Sequence, residues 1–264
     1  VTRSVPLNVR TSGDGPAVIF LHGLYGSGSN WRAVARPLGA DHRVLLPDLR
    51  NHGQSPHAAD MDYRVMADDV VALMDAEGID AGRLVGHSMG GKVAMALTLG
   101  HPQRVHSALV VDIAPVAYDH SAEHGRLIAA MQALDTQGLR NREDADAQLA
   151  AAVPHPMVRQ FLLTNLQRQQ GAWGWRIPLA ILADQLSVIQ DWPLREPAPR
   201  STPMVFLHGG ASDYVDRRGR AAINHQFPQA TIESIDGVGH WVHAEAPTAF
   251  GERLERFLHS RAST

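Results

Sequence analysis

The chain has no cysteine among its 264 residues. That excludes disulfide staples, thiolate metal sites and a cysteine nucleophile, and it brings hydroxyl nucleophiles forward. No apolar stretch reaches membrane-spanning length, and the first sixteen residues lack the apolar core of a signal peptide. On these grounds the chain reads as cytoplasmic, with no membrane partner. Basic runs are missing too. Lys and Arg number 24 against 27 Asp and Glu, a formal charge of -3, so nucleic acid is not an expected partner. Neither a Walker nor a dinucleotide-binding glycine pattern occurs, and the fifteen histidines show no HExxH or comparable ligand spacing. Charged residues at 19% are too few for a disordered chain, and hydrophobic residues at 44% suffice for a core. The length suits one large domain, or one domain with an insertion.

What is present is an alternation of short apolar runs and helical periodicities. Residues 17–21 and 43–46 are continuous apolar runs that stop at His22-Gly23 and Pro47-Asp48, as strands buried on both faces do. Residues 63–77 place Val70, Leu73 and Met74 at helical spacing before Gly78. Further strands are predicted at 83–85, 107–113, 203–207 and 230–235, and helices at 92–99 and 247–258. Strands alternating with helices predict an α/β fold with a mostly parallel, doubly wound sheet flanked by helices, its ligands beyond the carboxyl ends of the strands. Between Pro115 and Pro203 strand signals disappear and Ala-, Leu- and Gln-rich helical segments, broken by prolines, take over. The predicted organisation is therefore a core of residues 1–114 and 203–264 with a helical cap insertion at 115–202, the Pro-rich stretch 193–203 returning the chain to the core.

Gly86-His-Ser-Met-Gly90 matches G-x-S-x-G between an apolar strand and a helix. A strand that turns at once into a helix strains the central serine, so residues two positions either side must be small. Ser88 is thereby the expected nucleophile, and the Met89 N–H at the helix start an oxyanion donor. A Gly-rich structural turn with an incidental serine is the plain alternative, and the strand-elbow-helix context weighs against it. His22-Gly-Leu24 closes the first core strand, so Leu24 is the expected second oxyanion donor, with Tyr25 as its neighbour and alternative; an ordinary strand-to-helix loop explains the same residues. His87 and Tyr25 are expected to line the substrate site.

The base should follow the last strand, which selects His240 in Gly237-Val-Gly-His-Trp241, with His243 as the neighbouring alternative and Trp241 beside the substrate. His208 is read as closing a strand, and His52 as shaping a loop beside the site. Two carboxylates compete for the triad acid. Asp213 follows the 203–207 strand, the usual place in this fold, and Asp112 ends the preceding strand, one strand over; each also has a structural role available as a cap.

With these pieces in hand the chain resembles the small bacterial esterases of the YbfF type and the related mitochondrial ABHD-type hydrolases, members of the α/β-hydrolase superfamily, over essentially its whole length. The carriers are Asp48-Leu-Arg-Asn-His-Gly-Gln-Ser55, Gly86-His-Ser-Met-Gly-Gly-Lys92, Val111-Asp-Ile-Ala-Pro115 and Gly239-His-Trp-Val-His243. The resemblance implies an esterase or thioesterase without a cofactor and with a helical cap, short acyl esters and acyl-CoA being among its substrate classes. It places Asp112 slightly ahead of Asp213, because some members use the aspartate of the VDIAP-like segment.

The expected reaction is hydrolysis of a small-molecule acyl ester or thioester through an acyl-enzyme on Ser88. Trp173, Trp175 and Trp192 in the insertion are candidates for an apolar acyl pocket, weighed evenly against simple packing of the cap. Dehalogenases and epoxide hydrolases are disfavoured by Ser88, since they place Asp there. A cofactor-free haloperoxidase or C–C bond hydrolase of the same fold is the enzymatic rival, and a non-catalytic ligand-binding member the rival of another class.

Overall fold

The computed structural model describes residues 4–198 and 202–260. The strands are β1 (Val9–Ser12), β2 (Ala17–Leu21), β3 (Arg43–Pro47), β4 (Gly82–His87), β5 (Val105–Val111), β6 (Leu166–Gln169), β7 (Ala172–Trp175), β8 (Met204–Gly209) and β9 (Thr231–Ile235). The helices are α1 (Arg32–Ala35), α2 (Tyr63–Ala76), α3 (Met89–Gly100), α4 (Ser121–Ala133), α5 (Arg142–Leu149), α6 (Pro156–Leu163), α7 (Leu179–Asp184), α8 (Leu186–Gln190), α9 (Arg217–Gln226), α10 (Val242–Glu245) and α11 (Pro247–His259). No helix among the described residues is long and apolar enough to cross a membrane.

Seven strands form one sheet in the order β1-β3-β2-β4-β5-β8-β9, parallel except for β1, which pairs antiparallel with β3. The continuous apolar runs are explained by the pleat, which sends alternate residues to two separate cores. Ile19, Leu21, Leu45, Leu84, Ala108 and Val110 face the core built with α2 and α3. Val18, Phe20, Val44, Leu46, Val85, Leu109 and Val111 face the core built with Trp31, Phe250, Leu254 and Phe257. Helix α2 starts where the Asp62 side chain accepts from the Arg64 and Val65 N–H groups, and Gly78, at φ +66°, ends it.

Between β5 and β8 lie helices α4 to α8, and here the structure differs from the sequence reading in one element. β6 and β7 form an antiparallel hairpin inside the segment where no strand was expected. Gln170 and Gly171, both at positive φ, make the two-residue connection that a twisted hairpin favours, and the four-residue strands are too short to show periodicity. β1 also escaped the reading, because Val-Arg-Thr-Ser is a polar, half-exposed edge with no core stripe. The insertion has its own small core of Leu134, Leu139, Ala145, Leu149, Leu163 and Leu166. Part of the predicted return stretch, residues 199–201, lies outside the described residues.

Candidate active site

The candidate residues gather at the carboxyl ends of β2, β4, β5 and β9, where an open α/β sheet places its ligands. Ser88, one residue beyond β4, has φ +53° and ψ -120°, a conformation that L residues avoid. The chain reverses so tightly that a Cβ at Gly86 would lie 2.3 Å from the Gly90 carbonyl oxygen, and one at Gly90 would lie 2.3 Å from the Leu21 oxygen. Both glycines of the motif are therefore demanded by close backbone approach. The Ser88 N–H donates to the Val111 oxygen at 3.0 Å, continuing the β4–β5 pairing into the turn.

His240 leaves β9 in a loop that crosses the end of β8. A Cβ at Gly209 would stand 2.2 Å from the Gly239 oxygen and 2.3 Å from that of Val238, so the crossing needs a glycine. It delivers the imidazole to the end of β5, where His240 Nδ1 donates to Asp112 Oδ2 at 2.7 Å. Asp112 is fully buried, at φ +51°, and its N–H donates to the Leu207 oxygen at 2.9 Å. The Gly209 N–H donates to its Oδ1 at 2.9 Å, and the Ser212 hydroxyl donates to its Oδ2. Burial raises the Asp112 carboxyl above its usual range, and the Ser212 and Gly209 donors pull it back. Asp213, the rival carboxylate, stands exposed on the cavity wall, and the carboxylate in contact with the imidazole is that of Asp112. The reason is the crossing itself: the loop that carries His240 passes over β8 to the next strand.

Burial pushes the His240 imidazole down to about 3, which keeps the ring neutral and able to accept a proton. Its backbone oxygen accepts from His87 Nε2 at 2.9 Å, and the Tyr214 ring stacks on it at 3.9 Å between centroids and 17° between planes. Neither contact announces itself in the sequence. His87 is the variable residue of the elbow motif, and Tyr214 is a loop aromatic without a pattern. The other histidines fall where expected: His208 closes β8 and accepts from Arg220, while His52 Nε2 accepts from the Tyr25 N–H at 3.1 Å. His243 packs against Trp31 with ring centroids 4.4 Å apart.

That His52 contact separates the two oxyanion candidates. The Tyr25 N–H is engaged, whereas the Leu24 N–H has no hydrogen-bond partner among the described residues. Tyr25 sits at φ +64° and lines the cavity, its hydroxyl 3.3 Å from His124 Nδ1. The resemblance segment 48–55 turns out to be a brace. Asp48 accepts from the Gly28 and Gln54 N–H groups, and buried Arg50 makes a bidentate pair with Asp69 at 2.6 and 2.7 Å. Lys92 is also buried, and its Nζ donates to the carbonyls of Gln190 and Asp191 at 3.0 and 2.9 Å, at the end of α8.

Ser88, Met89, Leu24, Tyr25, His87, His240 and Trp241 all line one cavity of about 930 Å³. The insertion supplies much of its wall, including Leu127, Val158, Phe161 and Ile189. The predicted pocket tryptophans do not. Trp173 and Trp175 pack on the insertion's own core, with Trp175 Nε1 donating to the Met131 oxygen at 2.7 Å. Trp192 is fully buried and donates to Gln226 Oε1 at 2.9 Å. Each ring satisfies its apolar body inside the fold, and for Trp175 and Trp192 the indole N–H is bonded there as well, so none is left facing the cavity.

A family model described as the alpha/beta hydrolase fold matches residues 16–247. The mouse sn-1-specific diacylglycerol lipase ABHD11 is 41% identical over 249 residues, covering 92% of this chain and 81% of that protein. Esterase YbfF of Escherichia coli K12 is 39% identical over 242 residues, covering 91% of this chain and 92% of that one. A solved structure, a marine microorganism esterase, superposes with TM-score 0.93 at 36% identity over 96% of this chain and all of its own. A serine elbow on a mostly parallel sheet, an imidazole paired with a buried carboxylate and relatives of this closeness lead to one statement: the chain belongs to the alpha/beta hydrolase fold family.

Proposed function

We propose that the protein hydrolyses carboxylic esters through an acyl-enzyme on Ser88, with His240 as base and Asp112 as the triad acid. The observation that carries this reading is the 2.7 Å bond from His240 Nδ1 to the buried Asp112 carboxylate, in the cavity that holds the elbow serine. The esterase and lipase names of the relatives point the same way.

In the first half-reaction the Ser88 hydroxyl gives its proton to His240 Nε2 as its oxygen bonds to the acyl carbon. The N–H groups of Leu24 and Met89 hold the oxyanion, each donor worth about 2.7–4 kcal/mol in the transition state. The ester C–O bond then breaks, and the leaving oxygen takes the proton from His240. Water repeats the sequence: its proton goes to His240, its oxygen to the acyl carbon, and Ser88 recovers its hydrogen as the acid leaves. Asp112 holds the imidazole tautomer and stabilises the imidazolium. The insertion at 115–202 acts as a cap over the core of 1–114 and 203–264, its Leu127 and Phe161 forming part of the acyl wall.

The test is hydrolysis of p-nitrophenyl esters from acetate to palmitate, with acyl-CoA in parallel, by the wild type and Ser88→Ala. Turnover in the wild type and its loss in the variant is the expected result. No turnover of any acyl substrate by the folded wild type overturns the reading in favour of a C–C hydrolase or a ligand-binding protein.

A further inference from the structure

The segment after β2 makes a tight turn that a tyrosine does not favour. The Gly26 N–H donates to the Gly23 oxygen at 3.0 Å, so Gly23, Leu24, Tyr25 and Gly26 form a β-turn. Tyr25, its third residue, has φ +64°, while Leu24 stays out of the left-handed region, which is the pattern of a type II turn. Glycine or asparagine normally takes that third place. With a tyrosine there the type I turn is the less strained form, and the two differ by a flip of the Leu24–Tyr25 peptide. The turn abuts the nucleophile, since a Cβ at Gly23 would lie 3.4 Å from that of Ser88, and it carries the Leu24 N–H assigned above to the oxyanion. A non-glycine residue keeps such a backbone only where its surroundings over-determine it.

Two side chains from far along the chain do so. His52 Nδ1 donates to the Arg50 oxygen at 2.8 Å, which leaves the lone pair of Nε2 to accept the Tyr25 N–H at 3.1 Å. A flipped peptide would set the Leu24 oxygen against that lone pair. On the other side of the residue, Asn165 Nδ2 donates to the Tyr25 oxygen at 2.7 Å, across 140 positions of sequence. Asn165 lies between α6 and β6 of the insertion and is fully buried. Its own N–H donates to the Leu162 oxygen at 3.0 Å, and its carbonyl accepts from the Arg176 N–H at 2.8 Å, so its backbone is fixed. Nδ2 also reaches the Leu162 oxygen, at 3.3 Å, and two carbonyls on that side set the orientation of the amide. Its Oδ1 is buried with no hydrogen-bond partner among the described residues, which costs stability that a small apolar residue would not lose.

We propose that Asn165 is a positioning residue of the oxyanion hole: with His52 it clamps the two peptides of Tyr25, so that the Leu24 N–H stays presented at Ser88. The insertion thereby takes part in forming the hole as well as in walling the cavity. The inference rests on the ester-hydrolase reading above. Asn165 touches no reacting atom and acts through the Tyr25 backbone. The rival role is plain anchoring of the insertion to the core, as Lys92 provides elsewhere.

The test is kcat and KM for p-nitrophenyl acetate and octanoate in the wild type, Asn165→Leu, His52→Leu and Lys92→Met, with folding checked by circular dichroism. Asn165→Leu keeps the approximate shape and deletes the donor, so kcat should fall on the order of 10²-fold, as for a misplaced catalytic group. KM should stay unchanged and the loss should be equal on both esters, the signature of an interaction made in the transition state. His52→Leu should show the same pattern from the core side. Asn165→Ala removes the donor without a branched side chain and serves if Asn165→Leu does not fold. Losses that appear in KM, that grow from acetate to octanoate or that Lys92→Met reproduces overturn the inference in favour of anchoring, and so does wild-type kcat in the Asn165 or His52 variant. Absence of all ester hydrolysis in the folded wild type overturns the ester-hydrolase reading itself.

Discussion

Asp112 illustrates what a single residue owes to its surroundings. Three donors converge on its carboxylate, from His240, Ser212 and the Gly209 backbone, while Asp213 faces solvent. If Asp112 is the triad acid as proposed, replacing it with Asn removes the charge paired with His240, so kcat should fall by about 10³- to 10⁴-fold, whereas Asp213→Asn should leave steady-state ester kinetics nearly unchanged. A large loss in the second variant alone would reverse the assignment. The pH profile belongs at the same scale. Burial lowers the His240 imidazole to about 3, and the neutral ring is the active form, so the acid limb of kcat/KM should lie well below 6.5. A limb at the ordinary imidazole value would show that His240 is solvated in the working enzyme. The elbow was legible at this scale because G-x-S-x-G states its own backbone constraint. The acid was not, since an aspartate at a strand end looks the same whether or not a distant loop arrives above it.

Among the elements, α3 joins sheet and insertion through one buried side chain. Its Lys92 lies between the Tyr63 and Tyr118 rings, 5.3 and 5.0 Å from their centroids, and donates to the last carbonyls of α8 and beyond. Burial lowers its ammonium to about 7. Asn165 does the same for the other flank, donating to the Tyr25 oxygen at 2.7 Å. Lys92→Met keeps the apolar stem and deletes the donor, leaving two carbonyls without it, and should cost about 1–3 kcal/mol in urea denaturation. An unchanged midpoint would show that water replaces the ammonium at no cost. Gly251→Ala should move the same measurement the other way, raising stability by about 0.5–1 kcal/mol. Most strands and helices of the core were readable to within a residue or two, because each has a buried stripe of its own. The β6–β7 hairpin was not. Its stability comes from the turn at Gln170-Gly171 and from packing on the insertion, not from its own alternation.

Over the whole molecule the buried histidines set the response to acid. Burial lowers His22 to about 4 and His52, His87 and His240 to about 3, and it lowers His124 and His243 as well. Below 6.5 the unfolded chain binds protons at these sites that the folded chain refuses, so stability falls as pH drops below 6.5. The raised carboxyls of Asp69 and Asp112 act in the opposite sense, gaining stability over part of the same window, and they are fewer. Thermal melting between pH 8 and 4.5 should therefore show a steady fall in Tm beginning near 6.5; a flat profile would mean that water reaches these rings.

The order of most core strands and helices, the strand-elbow-helix turn at Ser88 and the place of His240 after the last strand were legible in the sequence alone. Each rests on local patterns, apolar runs, glycines at a fixed spacing and helical periodicity, that hold wherever the rest of the chain goes. The tertiary structure alone decided which aspartate meets His240, which N–H stays free at the Leu24 turn, and which side chains wall the cavity. These depend on residues far apart in the chain arriving together: Gly209 lets the His240 loop cross β8, His52 takes the Tyr25 N–H, and Trp192 turns to Gln226 of α9. No spacing in a linear sequence records such a crossing.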